Sequence, residues 1–340
     1  MWDGWTIGLA CRPGADSLRL NTTEILKELR LLWDSLPSKA FVLVTAVAWC
    51  SLFHWVGNST FGYVNSPSMF GWLTGWYQLS SVGESGDELA PFVPFLVLAL
   101  MYLKRDELMA VPKRPWPPAL VLVVGGLAMH AVGFLGQQVR LSVAGFIIGT
   151  WGLMGLFWGW TWLRATAFPW LVLFFAIPIA AYTDGLTFHL RLLSTRVSVG
   201  ICNSLLGLDL MRLGTTVFHQ PEDGVGGFKF DVAAACSGMR SASVVLLLAV
   251  VFAFMNFRSV WRRLVMIACS VPFALFGNVI RLVVVFVVGE AFGEKAGKMI
   301  ETQFGFLTYL GALVALFALG RLLREPGGPG TPPHSSPPPP

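Results

Sequence analysis

The stretch Ala233-Ala-Ala-Cys-Ser-Gly-Met-Arg-Ser-Ala-Ser-Val-Val-Leu-Leu-Leu-Ala-Val-Val-Phe-Ala-Phe254 joins a thiol to a long apolar run. The run from Val244 to Phe254 predicts a helix that enters a membrane. Cys236 therefore lies at a membrane boundary and at a helix N-terminus, and Arg240 returns to the same helical face four residues later. A helix N-terminus and a nearby guanidinium both favour the thiolate, which is the nucleophilic form of cysteine. The stretch thus predicts a reactive cysteine at the start of a membrane helix.

The composition extends the membrane prediction to the whole chain. Of its 340 residues, 55% are hydrophobic and 13% are charged, whereas soluble domains contain about 25% charged residues. The apolar residues occur in long blocks, which predicts an all-α polytopic membrane protein in contact with lipid. The net charge of +5 is attributed to basic loops on one side of a bilayer, not to binding of nucleic acid.

About eight transmembrane helices are predicted when a span of about 20 apolar residues is taken as the template. The candidate spans are residues 40–57, 89–103, 117–135, 141–163, 167–182, 236–257, 263–289 and 303–323. With both termini in the cytoplasm, every cluster of Lys and Arg lies inside, as the positive-inside rule prefers. The loop 58–88, which has no Lys or Arg, then lies outside. This topology predicts a cytoplasmic segment 1–39, a transmembrane domain 40–323 and a disordered, Pro-rich cytoplasmic tail 324–340.

The segment 183–235 is the longest outside region and is predicted to have structure of its own. Residues 186–208 keep apolar side chains at helical spacing, while His189, Arg196 and Asn203 recur every seven residues, which favours a helix in the outer interface. The runs 216–219 and 228–232 flank a Pro- and Gly-containing turn and predict a β-hairpin that leads directly to Cys236.

The other cysteines and the glycines suggest packing. Cys11, Cys50, Cys202, Cys236 and Cys269 have no metal-type spacing, and no GxGxxG, HExxH or P-loop pattern occurs, so neither a cofactor nor a metal is predicted. Cys50 and Cys269 lie inside spans and are interpreted as small buried hydrophobes. Cys202 is open to either interpretation, as buried hydrophobe or as partner of the site. Close helix packing is predicted for four glycines of the fourth span, namely Gly149, Gly152, Gly155 and Gly159.

Three polar positions stand out near the outer membrane boundary. Asn278 and Arg281 share one face of the seventh span, and Arg281 lies on the order of 12 Å from the outer end of that span. A charge there costs about 3 kcal/mol or more, so it is expected to face protein or a watery cavity. Arg281 could simply tie helices together, but Cys236 and Arg240 at a similar level favour chemistry. Glu301 opens the eighth span at the same boundary, where helix starts favour acidic residues in any case.

Several motifs along the chain resemble those of one family. They are Gly-Gly-Leu-Ala-Met-His130 with Val-Gly133, Phe168-Pro with Ile-Pro178, Leu193-Ser-Thr-Arg196, Ala-Cys236-Ser-Gly-Met-Arg240-Ser and Asn278-Val-Ile-Arg281. With these motifs, residues from about 116 to 323 resemble the exosortase/archaeosortase family of integral-membrane cysteine transpeptidases. The cysteine block followed by Asn-x-x-Arg in the next span is the specific part of the resemblance.

The resemblance implies a sortase-like reaction at the outer face of the bacterial cytoplasmic (inner) membrane. Cys236 would be the nucleophile and Arg281 the second catalytic residue, with Ser237, Arg240 and Asn278 in support. The substrates would be secreted proteins with a short C-terminal sorting motif, a transmembrane helix and a basic end. A thioester would form, and a lipid or polysaccharide acceptor would take the acyl group. No nucleic acid is implied.

The chain departs from the family at the third catalytic position, where exosortases usually have a histidine. The nearest counterpart is Glu301, and a carboxylate beside a thiol disfavours the thiolate. Three interpretations remain open. Glu301 orients Arg281 or acts as a protonated acid, His189 or His219 transfers the proton, or the enzyme is divergent. Rival functions are a catalytically inactive scaffold in surface-polymer export, a transporter of anionic solutes and a non-peptide acyltransferase.

Overall fold

A computed structural model of the chain describes residues 39–60, 64–81, 89–219, 228–231, 239–303 and 306–323. These residues are mostly helical and divide into two units. The first unit contains the described residues up to Leu79 together with Ala90–Pro178, and the second contains those of Ser80–Leu89 and Ile179–Gly328. The predicted Pro-rich tail and the predicted N-terminal segment before Lys39 lie outside the described residues.

The first unit consists of helices joined by short connections. It begins with α1 (Lys39–Trp55) and α2 (Met69–Ser81), which lies in the segment that the sequence assigned to an outside loop. The remaining helices are α3 (Val93–Leu103), α4 (Arg105–Ala110), α5 (Leu120–Leu135), α6 (Val139–Trp158) and α7 (Trp160–Leu173). Short 3₁₀ turns at Ala90–Phe92, Pro117–Ala119 and Phe174–Ala176 precede α3, precede α5 and follow α7.

Helices α5 and α6 form an antiparallel pair whose backbones touch through glycines. A Cβ atom at Gly126 would lie 2.6 Å from the carbonyl oxygen of Gly145, closer than real Cβ contacts. Close packing is confirmed for three of the predicted glycines of α6, which all contact neighbouring helices or side chains: Gly149, Gly152 and Gly155. Small residues allow this approach because no side chain separates the two backbones.

Two helix boundaries differ from the sequence prediction, each for a backbone reason. α6 ends at Trp158 because Gly159 has φ +94°, a conformation that a side chain would strain, and α7 begins directly after it. The predicted fifth span, residues 167–182, is wrong as one continuous helix. Ile177 is extended before Pro178, whose ring disfavours a helical residue before it, and α8 starts anew at Ala180.

The second unit is built around a long helix. Its helices are α8 (Ala180–Leu206), α9 (Met239–Asn256), α10 (Val260–Phe292), α11 (Glu294–Gln303) and α12 (Phe306–Leu322). α10 packs against each of the other four. Small buried side chains let α9, α10 and α12 approach closely, among them Ala249, Ala253, Ala274 and Ala312.

A small antiparallel sheet lies between α8 and α9 in the chain. Its order is β1 (Met211–Leu213), β2 (Thr216–His219) and β3 (Phe228–Asp231). β2 pairs with β3 from Thr216↔Asp231 to His219↔Phe228, the two runs that the sequence proposed as a hairpin, while residues 220–227 lie outside the described residues. β1 was not predicted. Asn203 holds its start, because the Asn203 side chain exchanges two hydrogen bonds with the Leu210 backbone, at 3.0 and 3.1 Å.

Three helices in the described ranges are long and apolar enough to cross a membrane. They are Pro117–Leu135, Val139–Trp158 and Val260–Phe292. Shorter apolar helices cover Lys39–Trp55, Ala90–Leu103, Ala242–Asn256 and Tyr309–Leu322. Each of these segments overlaps a predicted span, so the predicted helical character is confirmed, whereas the number of eight spans stays a prediction.

Candidate active site

The buried polar pair of α10 lies in the protein interior. Asn278 and Arg281 are one turn apart on one face of the helix, with 1% and 9% of their surface exposed. α10 is among the helices that are apolar enough to cross a membrane. Because an arginine facing lipid costs about 3 kcal/mol or more, its burial within protein is the favourable arrangement. The pair is therefore a fixed polar feature inside an apolar helix.

Helix α8 presents a row of hydroxyl groups to this part of α10. The Asn278 side-chain amide donates a hydrogen bond to Ser194 Oγ at 3.0 Å, and the Ser194 hydroxyl donates to the carbonyl of Arg191 at 3.0 Å. One turn later, the fully buried Ser198 hydroxyl donates to the carbonyl of Val279 at 3.3 Å. These bonds hold α8 against the turn of α10 that carries Asn278 and Arg281.

The sheet is attached to the junction of α10 and α11 by one aromatic ring. Phe230 on β3 is buried, and a Cβ atom at Gly289 would lie 2.5 Å from its ring. The ring fits equally closely against Gly297 of α11. The two glycines thus leave room for Phe230, and the ring fixes the strand from which the chain continues towards Cys236.

A second attachment involves the acidic residue at the start of α11. The carboxylate of Glu294 accepts a hydrogen bond from the backbone N–H of Lys229 at 3.4 Å and lies 2.5 Å from the Lys298 amine. Hydrogen bonding to Lys298, and then to the Lys229 backbone, keeps the pKa of the Glu294 carboxyl below its ordinary value. Glu294 therefore stays ionised where it holds β3.

The two histidines considered for proton transfer lie in different environments. His219 on β2 points Nδ1 at the carbonyl oxygen of Asp209, 2.8 Å away, and Nε2 at the carboxylate of Glu290, 3.5 Å away. Both ring nitrogens thus face oxygen acceptors, which favours a role in attaching the sheet. Glu290 lies nine residues beyond Arg281, about 14 Å along the helix axis. His189 is exposed on α8.

Comparison with known protein families gives a match for this chain. The family described as transmembrane exosortase matches residues 76–318, well over half of the chain. The chain belongs to the exosortase family. No curated protein and no solved structure matches it. The match covers α10, α8 and the sheet, so the resemblance first carried by short motifs is confirmed, and the chain is a helical membrane protein.

The residues of the exosortase motif fall partly outside the described residues. Cys236 and Ser237 are not among them; the described chain on either side is β3, which ends at Asp231, and α9, which begins at Met239. Arg240 lies in α9, whose described part begins at Met239. Arg281 and Asn278 are the members of the motif whose side chains the structure describes.

Glu301 has a different place in its helix from the one predicted. It is the eighth residue of α11, which begins at Glu294, and residues 304–305 between α11 and α12 lie outside the described residues. The expectation that Glu301 stands at a helix start is therefore wrong, and the helix-start argument for an ionised glutamate no longer applies.

The surroundings of Cys202 do not favour a role as a partner of the catalytic site. The side chain is fully buried in an apolar cluster with Leu210, Val217 and Phe286. Burial raises the pKa of the Cys202 thiol to about 11, so it stays a thiol at neutral pH. Cys202 is a packing residue. In the described part of the chain, no group of three His, Cys, Asp or Glu side chains could hold a metal ion.

Proposed function

We propose that this exosortase is a membrane-embedded cysteine transpeptidase that cleaves the C-terminal sorting signal of secreted proteins. Cys236 is the nucleophile, and the site faces the outer side of the bacterial cytoplasmic membrane. The observation that carries the proposal is the burial of Arg281 and Asn278 on one face of α10. A buried guanidinium inside an apolar helix is costly, and oxyanion stabilisation in a low-dielectric site gives it a use.

The proposed reaction has two acyl transfers. The Cys236 thiolate attacks the scissile carbonyl, and the guanidinium of Arg281 stabilises the tetrahedral oxyanion. The C–N bond then breaks, which leaves a thioester on Cys236, and the amine takes a proton and departs with the substrate's membrane helix. The nucleophile of the acceptor, a lipid or polysaccharide, then attacks the thioester, gives its proton to the carboxylate left on Glu301, and releases the Cys236 thiolate.

Glu301 supplies the proton to the departing amine in this proposal. The predicted position of Glu301 at the outer membrane boundary favours a neutral over an ionised carboxyl, because loss of surrounding water disfavours the charged form. A protonated glutamate can donate, as the usual histidine of the family would. His219 is less suited, because both of its ring nitrogens already face oxygen atoms.

The test of the nucleophile is Cys236→Ala in cells that export a protein with a C-terminal motif, a transmembrane helix and a basic end. We expect unprocessed substrate and no hydroxylamine-sensitive adduct at position 236, with normal membrane insertion, because the thioester requires the thiol. Cys269→Ala is the control and should process substrate as the native chain does. Full processing by Cys236→Ala would eliminate the thioester mechanism.

The test of the oxyanion assignment is Arg281→Lys. An ammonium keeps the charge but not the planar, forked donors, so we expect processing to slow by on the order of 10²-fold. Time courses of the C-terminal cleavage product measure the rate. A native rate in Arg281→Lys would mean that charge alone, and not the guanidinium geometry, is needed.

A further inference from the structure

Two neighbouring hydroxyl residues of α8 differ in one contact. Ser194 and Thr195 are both fully buried, and both donate to the carbonyl oxygen of Arg191, at 3.0 and 2.8 Å. Ser194 Oγ also accepts the hydrogen bond from the Asn278 amide on α10. The two residues therefore share burial and a backbone acceptor, and the contact with Asn278 separates them.

The Ser194 hydroxyl also determines how the Asn278 amide is turned. A serine hydroxyl has one proton, and that proton is donated to the Arg191 carbonyl. Towards Asn278, Ser194 can then only accept, so the amino group of Asn278 must face α8 and Oδ1 must face away. Oδ1 is buried and accepts no hydrogen bond from the described residues. Without Ser194, no bond would keep the amide in this orientation.

We propose that Ser194 is a positioning residue for Arg281, acting through Asn278 and the turn of α10 that both residues share. The Ser194–Asn278 bond and the Ser198–Val279 bond fix the rotation of α10 about its axis, and with it the direction in which the guanidinium leaves the helix. This inference rests on the proposed function of Arg281 beside the Cys236 thiolate. A donor that is held in place before the reaction stabilises charge without reorganisation, which is why such a contact matters for rate.

The test compares how fast an anionic and a cationic reagent label Cys236, which reports the charge near its sulfur. It needs no identified substrate. Full-length protein with Cys11, Cys50 and Cys269 replaced by alanine is labelled with sulfonatoethyl and with trimethylammonioethyl methanethiosulfonate over a range of pH. Buried Cys202 is retained, because its thiol reacts slowly. A guanidinium close to the thiolate favours the anionic reagent and lowers the pH of half-maximal labelling. Arg281→Gln removes the guanidinium, so its values show the full change expected in the anionic-to-cationic rate ratio and in the pH of half-maximal labelling.

The expected result separates the matched variants. Ser194→Ala lowers the anionic-to-cationic rate ratio by about threefold to tenfold and raises the half-maximal pH by about half a unit, in the direction of Arg281→Gln. Ser194→Thr keeps the hydroxyl and the native values. Thr195→Val removes a hydroxyl of equal burial that does not reach Asn278, and also keeps them. These variants distinguish positioning from a general loss of packing.

Two outcomes would overturn the inference in different ways. Equal readouts for Ser194→Ala and Thr195→Val, whether both native or both altered, would remove the special role of Ser194 and leave the proposed function intact. Native readouts for Arg281→Gln would mean that the guanidinium does not act on Cys236. The proposed role of Arg281 would then fail, and the role of Ser194 would fail with it.

Discussion

Two closely packed helix pairs, one in each unit, are held together by different kinds of contact. In the first unit, α5 and α6 meet along a glycine seam formed by Gly126, Gly133, Gly145 and Gly149. In the second unit, α8 and α10 meet along a polar seam formed by Ser194, Ser198, Asn278 and Val279. The glycine seam relies on backbone contact, whereas the polar seam relies on side-chain hydrogen bonds.

The polar side chains at the two seams differ in how completely they are hydrogen-bonded. At the glycine seam, His130 is buried and its Nδ1 lies 3.2 Å from Ser142 Oγ. Its ring packs against Phe53 at 4.5 Å between centroids, so it is fully accommodated. At the polar seam, Asn278 Oδ1 is buried with no acceptor bond from the described residues, and a charged arginine lies one turn away. A buried polar group that is hydrogen-bonded serves packing. A buried polar group that can still accept a hydrogen bond is the better candidate for chemistry.

The largest expected effect is Gly126→Leu at the glycine seam. A Cβ there meets the backbone of α6 at 2.6 Å, and a backbone carbonyl cannot rotate away, so we expect a loss of about 3 kcal/mol or more in the free energy of unfolding. Thermal or denaturant unfolding of the purified protein measures it. The matched control is Gly125→Leu on the same helix, where a Cβ meets nothing within 4 Å. Equal losses in both variants would contradict packing by backbone contact.

A smaller effect is expected for Gly289→Ala, which tests how the second unit uses its glycines. Here the close neighbour is the ring of Phe230, at 2.5 Å from the added Cβ, and a ring can shift where a backbone cannot. We expect a loss of about 2 kcal/mol. Adding Phe230→Leu should restore part of it, because the smaller side chain leaves room for the methyl group. No recovery in the double variant would mean that Phe230 is not what the glycine accommodates.

Much of this arrangement follows from local sequence patterns. Long apolar runs predict α5, α6 and α10, and three-residue glycine spacing predicts the close packing of Gly149, Gly152 and Gly155. The strands β2 and β3 follow from their aromatic and β-branched residues. α2 was missed because its polar and aromatic residues resemble a loop, and β1 because a three-residue strand has no periodicity to detect. The turn between β1 and β2 could have been recognised from the glycine in Leu213-Gly214-Thr215-Thr216, because Gly214 has φ +65°.

The site was harder to predict because its contacts join distant parts of the chain. The spacing of Asn278 and Arg281 places them on one face, but the bond from Asn278 to Ser194 spans 84 residues, and no periodicity encodes it. Ser194 was visible in a family motif, without a role. Glu301 was misplaced because helix starts favour acidic residues, and Glu294 fits that pattern as well as Glu301 does. The signal for the start of α11 is Gly293, which has φ +87° and ends α10.

The smallest expected effect concerns Cys202, at the apolar end of α8 beyond the polar seam. Burial raises the pKa of its thiol from 9.0 to about 11, so between these values the unfolded chain releases the proton while the folded chain retains it. Stability must therefore fall as the pH rises through this window, by about 1 kcal/mol at pH 10. Unfolding curves of the native chain and of Cys202→Ala at pH 8 and pH 10 measure the difference, with Cys269→Ala as control. If Cys202→Ala loses as much stability between the two pH values as the native chain does, the buried thiol is not the group that titrates.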